Sequence, residues 1–411
     1  MPLDLTALGE TVRRVYDKKV AEGVYTQSPI LDMVEKQDHI QPGADGRINI
    51  FKQFGAGESN IPEGGTYNTA GSFGYSTAAY TIKNAVIPVK VSGSALASTQ
   101  EGQPQKSAFK AIEEAMKRGT QYLGLVNERQ LHGFSNAYIA QCGITSGSAT
   151  VVLNTAGGDY DGKQAIVRGW LAVGKKVDIG TAANEVAVVA DATITAVDPS
   201  AGTITIDSPG INTTSSHYVS VQNARAGATS YEMSGLGSLV DSTGTVGGIA
   251  YTDGVYWQSA KDSTNTSLSL ANFRDLDRSV RQTVGVGPDT ILVGFKQAAK
   301  LQALAETQIQ WSSIDAAKVG DPFAGKYQIF DGKKIVVSHN CHDHRAYLLT
   351  LDDFVLLEQN KPSWKFPQVG SPSDIFVADN TSDNVLAAIR HYRELCVRRR
   401  CTHGVFTNLT A

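Results

Sequence analysis

Cysteine is scarce in this 411-residue chain. Cys142, Cys341, Cys396 and Cys401 are too few and too scattered to form a disulfide framework, so reduced, mostly structural thiols are expected. Proline is sparse as well, 13 residues against 40 glycines. With many Ser and Thr, this composition points to numerous turns and extended segments rather than a helical bundle. No apolar run approaches the roughly 18 residues of a membrane-spanning helix, and the start MPLDLTALGE has no basic region followed by an apolar one. A soluble protein made in the cytoplasm, with no membrane partner, is the expectation. Neither sign of charge is in excess: 37 basic and 40 acidic residues give a formal net charge of −3. That balance argues against wholesale neutralisation of nucleic acid and leaves local basic patches open. No internal repeat of about 20–50 residues is present.

What the chain does have is one long helical stretch, residues 105–133. Phe109, Ile112, Met116, Leu123 and Val126 recur at three- and four-residue steps, and Ala108, Ala111, Ala115 and Tyr122 widen the stripe. Lys110, Glu113, Glu114, Lys117, Arg118 and Glu128 lie mostly on the other side, with Glu113 to Lys117 and Glu114 to Arg118 ordered as favourable i,i+4 pairs. Pro104 suits the first turn and His132-Gly133 the stop. Gly119 and Gly124 are unfavourable in a helix interior by about 1 kcal/mol each, which predicts a close approach or a bend there. With 41% hydrophobic residues the chain can build a sizeable core and two or three domains.

Before this helix, residues 3–20 read as an amphipathic arm with a basic flank of Arg13, Arg14, Lys18 and Lys19. A short apolar piece, Ile30, Leu31 and Val34, follows Ser28-Pro29. RINIFKQF and AYTIKNAVIPVKVSG have strand character and flank a Gly/Ser/Asn-rich tip, which predicts a long hairpin. An isolated hairpin is marginal in water, so a projecting one needs another surface, and a hairpin folded back on its own domain is the alternative. After the helix, about 143–232 is nearly pure strand and turn, an inserted all-β domain whose clearest piece pairs Thr193–Val197 with Thr203–Asp207 around Asp198-Pro199 and Gly202. Helical spacing returns at Leu270, Phe273, Leu276 and Val280. A strand at Thr290–Val293, a helix at Phe295–Ala305, strands around an Asp331-Gly332 turn and a closing alternating segment through Tyr392–Arg399 complete the chain.

Candidate chemistry is thin. His339, Cys341, His342, Asp343 and His344 form the densest ligand-type cluster, and His339, His342 and His344 would serve a metal-dependent enzyme, but no second cluster at zinc-site spacing completes it. The competing reading is a polar loop between two strands. Asp159-Tyr160-Asp161-Gly162 begins like a calcium loop, yet Trp170 stands where the bidentate Glu is needed. Gly285-Val286-Gly287-Pro288 and Gly55-Ala56-Gly57 lack the residues of a phosphate loop or dinucleotide fingerprint. Arg398, Arg399 and Arg400 could touch nucleic acid, a neighbouring subunit or only solvent. No catalytic, cofactor-binding or metal residue is assigned.

Taken in order, the arm, long hairpin, long helix, GPDTILVGFKQAAKLQAL, GKKIVVSHN and closing RELCVRRRCTHGVFTNL resemble the major capsid proteins of tailed bacteriophages, the HK97-like fold. The resemblance implies an α+β chain with an N-terminal arm at 1–40, an extended hairpin (E-loop) at 41–98, a P domain with its spine helix at 99–142, an inserted β domain at 143–232, an A domain at 233–345, and return strands of the P domain with the C-terminus at 346–411. It implies a non-enzymatic structural protein without cofactors, forming hexamers and pentamers in an icosahedral virion shell around double-stranded DNA, assembled in the cytoplasm of a bacterial host. Separate scaffolding, portal and decoration proteins would be its partners. Contacts between subunits would then fall on the arm and hairpin, with Arg13, Arg14, Glu58, Glu63, Tyr67, Phe73 and Lys83 as candidates. No crosslinking Lys or Asn is carried over. An encapsulin-like nanocompartment shell of the same fold, enclosing cargo enzymes, is the alternative.

Overall fold

The long helix forms over Gln105–Leu131, 27 residues, or about 40 Å at 1.5 Å per residue. The computed structural model describes residues 28–37, 45–53, 63–66, 74–92, 105–264, 266–306, 328–359, 361–364, 377–378 and 384–410. Pro104 and the side chains of Phe109, Lys110, Ile112 and Glu113 lie outside them. Met116 and Leu123 are buried as the stripe requires, and Glu114 pairs with Arg118 at 2.9 Å on the wet side. Gly119 is where another group comes close: a Cβ there would meet Trp364 Cη2 at 2.8 Å and Val89 Cγ2 at 3.2 Å. Two expectations fail. Tyr122 is 42% exposed rather than part of the stripe, and Glu128, expected in water, is 2% exposed. A single stripe describes a helix lying on one surface, whereas residues 127–132 are enclosed on all sides.

The surface beneath the helix is a six-stranded sheet organised by Asn384–Val397, which pairs with Phe354–Glu358, Ser363–Trp364, Val377–Ala378 and Lys83–Ser92, while Glu35–Gln37 adds to Phe354–Glu358. The hairpin itself is Asp45–Gln53 against Gly74–Thr81. It is therefore shorter than expected: after a break at Ile82, residues 83–92 leave it and run antiparallel to 384–393. Alternation alone shows that both segments are strands; it does not say which partner each one takes.

A second six-stranded sheet orders Ala260–Asp262, Gly404–Phe406, Ala346–Leu349, Thr290–Val293, Lys333–Val337 and Gln328–Phe330. Helix Leu270–Val284 covers it through Phe273 and Leu276, and helix Phe295–Glu306 through Leu301. The Asp331-Gly332 turn has φ of 49° and 76°, the left-handed pair that a two-residue hairpin loop needs. Ala346–Leu349 and Gly404–Phe406, expected among the return strands of the other sheet, belong here, because a strand buried on both faces fits the middle of either sheet equally well.

The insertion is a third sheet, ordered Tyr138–Gln141, Tyr218–Val221, Lys176–Gly180, Val189–Asp198, Thr203–Ile206 and Thr150–Val152. It begins before residue 143, and it is not purely β, since Gly162–Val167 is a helix capped by Asp161. The predicted turn is present, with Gly202 at φ +67° and Asp198 accepting from the Ser200 and Ala201 amides. Its core, from Ile139 to Val219 and including Ile179, Ile194 and Ile204, is separate from the cluster that joins the other two sheets. Residues 137–231 expressed alone should therefore give dispersed amide NMR signals; a spectrum confined to random-coil shifts would contradict an autonomous domain.

Candidate functional site

The ligand-rich loop Ser338–Arg345 leaves the strand Lys333–Val337 and faces the insertion. Arg345 grips Asp159 with two hydrogen bonds, Nε to Oδ1 at 2.6 Å and Nη2 to Oδ2 at 2.7 Å, and His344 Nε2 is 2.8 Å from the same Oδ1. In return Arg168 donates to the carbonyls of His339 and Cys341 at 3.1 and 2.8 Å and pairs with Asp343. Trp170 Nε1 donates to Asn340 Oδ1 at 2.8 Å. Burial, with the charge of Arg168 beside it, holds His342 neutral, and its Nε2 meets the His132 carbonyl at 3.2 Å. Burial also pushes the Cys341 thiol up to about 12, far from a reactive thiolate.

These imidazoles do not converge. His342 turns to the end of the long helix, His344 to Asp159, and the exposed His339 lies against Phe295. Among the described residues no group of three or more His, Cys, Asp or Glu is placed to hold a metal. Asp159 and Asp161, read as the start of a calcium loop, are a domain clasp and a helix cap. The cluster is a polar joint between insertion and body.

A second polar joint encloses the last turns of the long helix. Glu128 accepts hydrogen bonds from Ser28, from Ser338 Oγ at 2.6 Å and from His132 Nε2 at 3.2 Å. Burial works to raise its pKa, but these partners outweigh burial and hold the carboxyl below the usual range. Arg129 forms a two-point ion pair with Glu232, and Arg393 donates to Gln130 Oε1 at 2.8 Å. Asn127 meets His391 Nδ1 at 3.3 Å, and His391 Nε2 lies 2.8 Å from Glu358.

The arginine run does not form a basic patch. Arg398 pairs with Glu35 and Arg399 with Asp353, while Arg400 is fully buried and donates only to backbone carbonyls of 238–257. Glu128, the Asp159–Arg345 clasp and Arg400 were not visible as structural residues in the sequence. The one available signal was the presence of charges within strand- or helix-patterned apolar segments.

Of the candidate interface residues, Arg13, Arg14, Glu58, Tyr67 and Phe73 lie outside the described residues. Glu63 is exposed in the turn 63–66. Lys83 is half-buried and donates to the Ser230 carbonyl of its own chain at 3.1 Å. The base of the hairpin rests on the body through Ile50, Ala78 and Tyr80, as in the folded-back alternative, while Arg47, Asn49, Tyr75, Thr77, Ala79 and Thr81 form an exposed opposite face.

No protein-family model matches the sequence, and no curated protein does. Solved structures do. A chain of the cyanophage A-1(L) capsid asymmetric unit is 13% identical, with 93% of this chain and 93% of that chain covered and a TM-score of 0.57. The capsid of the native GTA particle gives 8% identity, 93% and 91% coverage and 0.46. The holo-SrpI encapsulin complex from Synechococcus elongatus PCC 7942 gives 10%, 94% and 89%, and 0.43. The cyanophage likeness extends over almost the whole of both chains, and the fold is HK97-like.

Two outcomes test these joints. Asp159→Asn leaves Arg345 buried without its carboxylate and should lower stability by about 3 kcal/mol, the low end of the usual range because the Asp159 side chain keeps 31% exposure; denaturant unfolding followed by Trp170 emission measures it. Burial raises Glu394 to about 7. A carboxyl whose folded pKa is raised contributes stability below its unfolded pKa and loses it as pH rises through the folded value. Glu394→Gln should thus stabilise the chain at pH 8, by at most roughly 3 kcal/mol, and have no such effect at pH 4; equal effects at both pH values would contradict the assignment.

Proposed function

We propose that this chain is the major capsid protein of a tailed bacteriophage and assembles as hexamers and pentamers into an icosahedral shell around double-stranded DNA. The observation that carries this reading is the agreement in fold, over 93% of each chain, with a cyanophage capsid chain. The internal use of the histidine loop supports it, since His344 is engaged with Asp159 of the insertion and His342 with the end of the long helix, while His339 points elsewhere. Its work is subunit contact rather than catalysis. A chain of net charge −3 suits a genome held by confinement and sequence-independent contacts. Scaffolding, portal and decoration functions reside in separate proteins, the shell is the virion's, and assembly takes place in the bacterial cytoplasm. The candidate contacts Arg13, Arg14, Glu58, Glu63, Tyr67, Phe73 and Lys83 belong to this proposal.

The intact chain should sediment in part as very large closed particles. Replacing 54–73 by an Asn-Gly turn should leave the far-ultraviolet circular dichroism otherwise unchanged and make such particles rare, since the removed tip has its partners on a neighbouring copy. Normal closed shells from the shortened chain would contradict the clasp role. Particles from the native source holding nuclease-protected DNA support the virion shell; particles holding enzyme cargo instead would favour a nanocompartment.

A further inference from the structure

Hydrogen bonds from Tyr80 and Ala79 tie the hairpin to the body, and both lead to the same short C-terminal segment. The first tie is direct. Tyr80, in the returning strand, donates its hydroxyl to the Val397 carbonyl at 3.1 Å and accepts from the Val397 amide at 3.4 Å. The second runs through the loop 238–257. Ala79 N–H donates to the Gly247 carbonyl at 2.9 Å, and Ile50 shares a core with Ile249 and Trp257. That loop is built of short pieces, one turn of helix at Leu236–Leu239, the two-residue strands Thr245–Val246 and Ile249–Ala250, and single 3-10 turns at Tyr251–Asp253 and Val255–Trp257. Arg400 ties them together. Its Nε donates to Leu239 O at 3.1 Å and its Nη1 to Trp257 O at 3.3 Å, while Nη2 faces the carbonyls of Ser238, Asp241 and Thr243.

A guanidinium offers five donors in one rigid plane, so a single side chain can gather carbonyls from both ends of an irregular loop. Burial lowers the pKa of Arg400, while its charge is met by the carbonyl dipoles it donates to and by the nearby Asp241 carboxylate, which it does not hydrogen-bond. Such a clamp is costly to bury and therefore specific: the loop closes on it in one shape, and that shape carries the Gly247 carbonyl to the hairpin. The fit is close. Gly247 has φ +58°, and a Cβ on it would lie 2.7 Å from the Cβ of Ala78.

We infer that the segment Val397–Arg400 is the device that aims the hairpin, with Tyr80 and Arg400 as positioning residues that fix the direction in which its exposed face is offered to a second copy of the chain. This rests on the shell-forming reading above. The attitude of the hairpin is then set by the far end of the sequence rather than by its own turn. Neither residue touches the partner.

Tyr80→Phe, which removes only the hydroxyl, and Gly247→Ala, which crowds Ala78 and strains the loop at φ +58°, test this in the full-length chain alongside Arg400→Lys. Hydrogen exchange should quicken about fivefold to tenfold at 45–53 and 74–81, and at the Val397 amide when its Tyr80 acceptor is removed, with exchange in 384–396 and in the insertion unchanged. Electron microscopy of the same preparations should show open or irregular assemblies in place of closed particles of one size. Unchanged exchange in the hairpin would overturn the inference, as would a uniform rise throughout the chain, which marks a merely structural role. Faster hairpin exchange with shells of unaltered size and closure would also overturn it. If the unaltered chain forms no particles at all, the shell reading fails, and the exchange pattern alone decides whether Val397–Arg400 holds the hairpin.

Discussion

Burying the strand Asn384–Val397 forces the rest of the chain to supply partners for the polar groups it carries inward. His391, Arg393 and Glu394 are all within 2% of full burial, and a buried charge without a partner costs several kcal/mol. The long helix answers with Asn127 and Gln130, the strand Phe354–Glu358 with Glu358, and the exit from the insertion with the Ser234 amide. One strand thus fixes the depth of the helix, the register of its neighbour and the point where the inserted domain rejoins the body.

The inserted domain has its own core and could be placed in many orientations by its two connections alone. Its orientation is chosen by the Ser338–Arg345 loop, where the bonds are charged and directional rather than apolar. Asp159, Arg345, Arg168 and Asp343 interlock so that each domain contributes both a cation and an anion. Apolar contact would hold the two parts together with less geometric definition, because dispersion and burial are nearly indifferent to rotation. For a subunit proposed to be copied around a shell, that definition matters: a small error in one joint repeats at every copy.

The hairpin illustrates how local pattern and tertiary assignment part company. Its period-two alternation was plain, and the strands formed. Which strand answered which was not, because Lys83–Ser92 alternates as well as Gly74–Thr81 does, and register in an antiparallel pair depends on turn geometry and on which face is buried. The same ambiguity moved Ala346–Leu349 from one sheet to the other.

The sequence by itself determined the long helix, the strands on either side of Asp331-Gly332, the turn at Asp198–Gly202, the helices at 270–284 and 295–306 and a strand-rich insertion, because each follows from periodicity or turn chemistry within about a dozen residues. The order of these pieces was also enough to suggest the HK97-like architecture that the cyanophage capsid chain then matched. Only the tertiary structure decided what the charged residues do. Glu128 sits among polar neighbours in a helix and reads as solvent-facing, Arg400 reads as part of a basic run, and the histidine loop reads as a polar loop with metal-type side chains but no partners, until segments 100 or more residues away in sequence close over them. Burial of a charge is a property of what surrounds it, and sequence spacing carries no information about partners that distant.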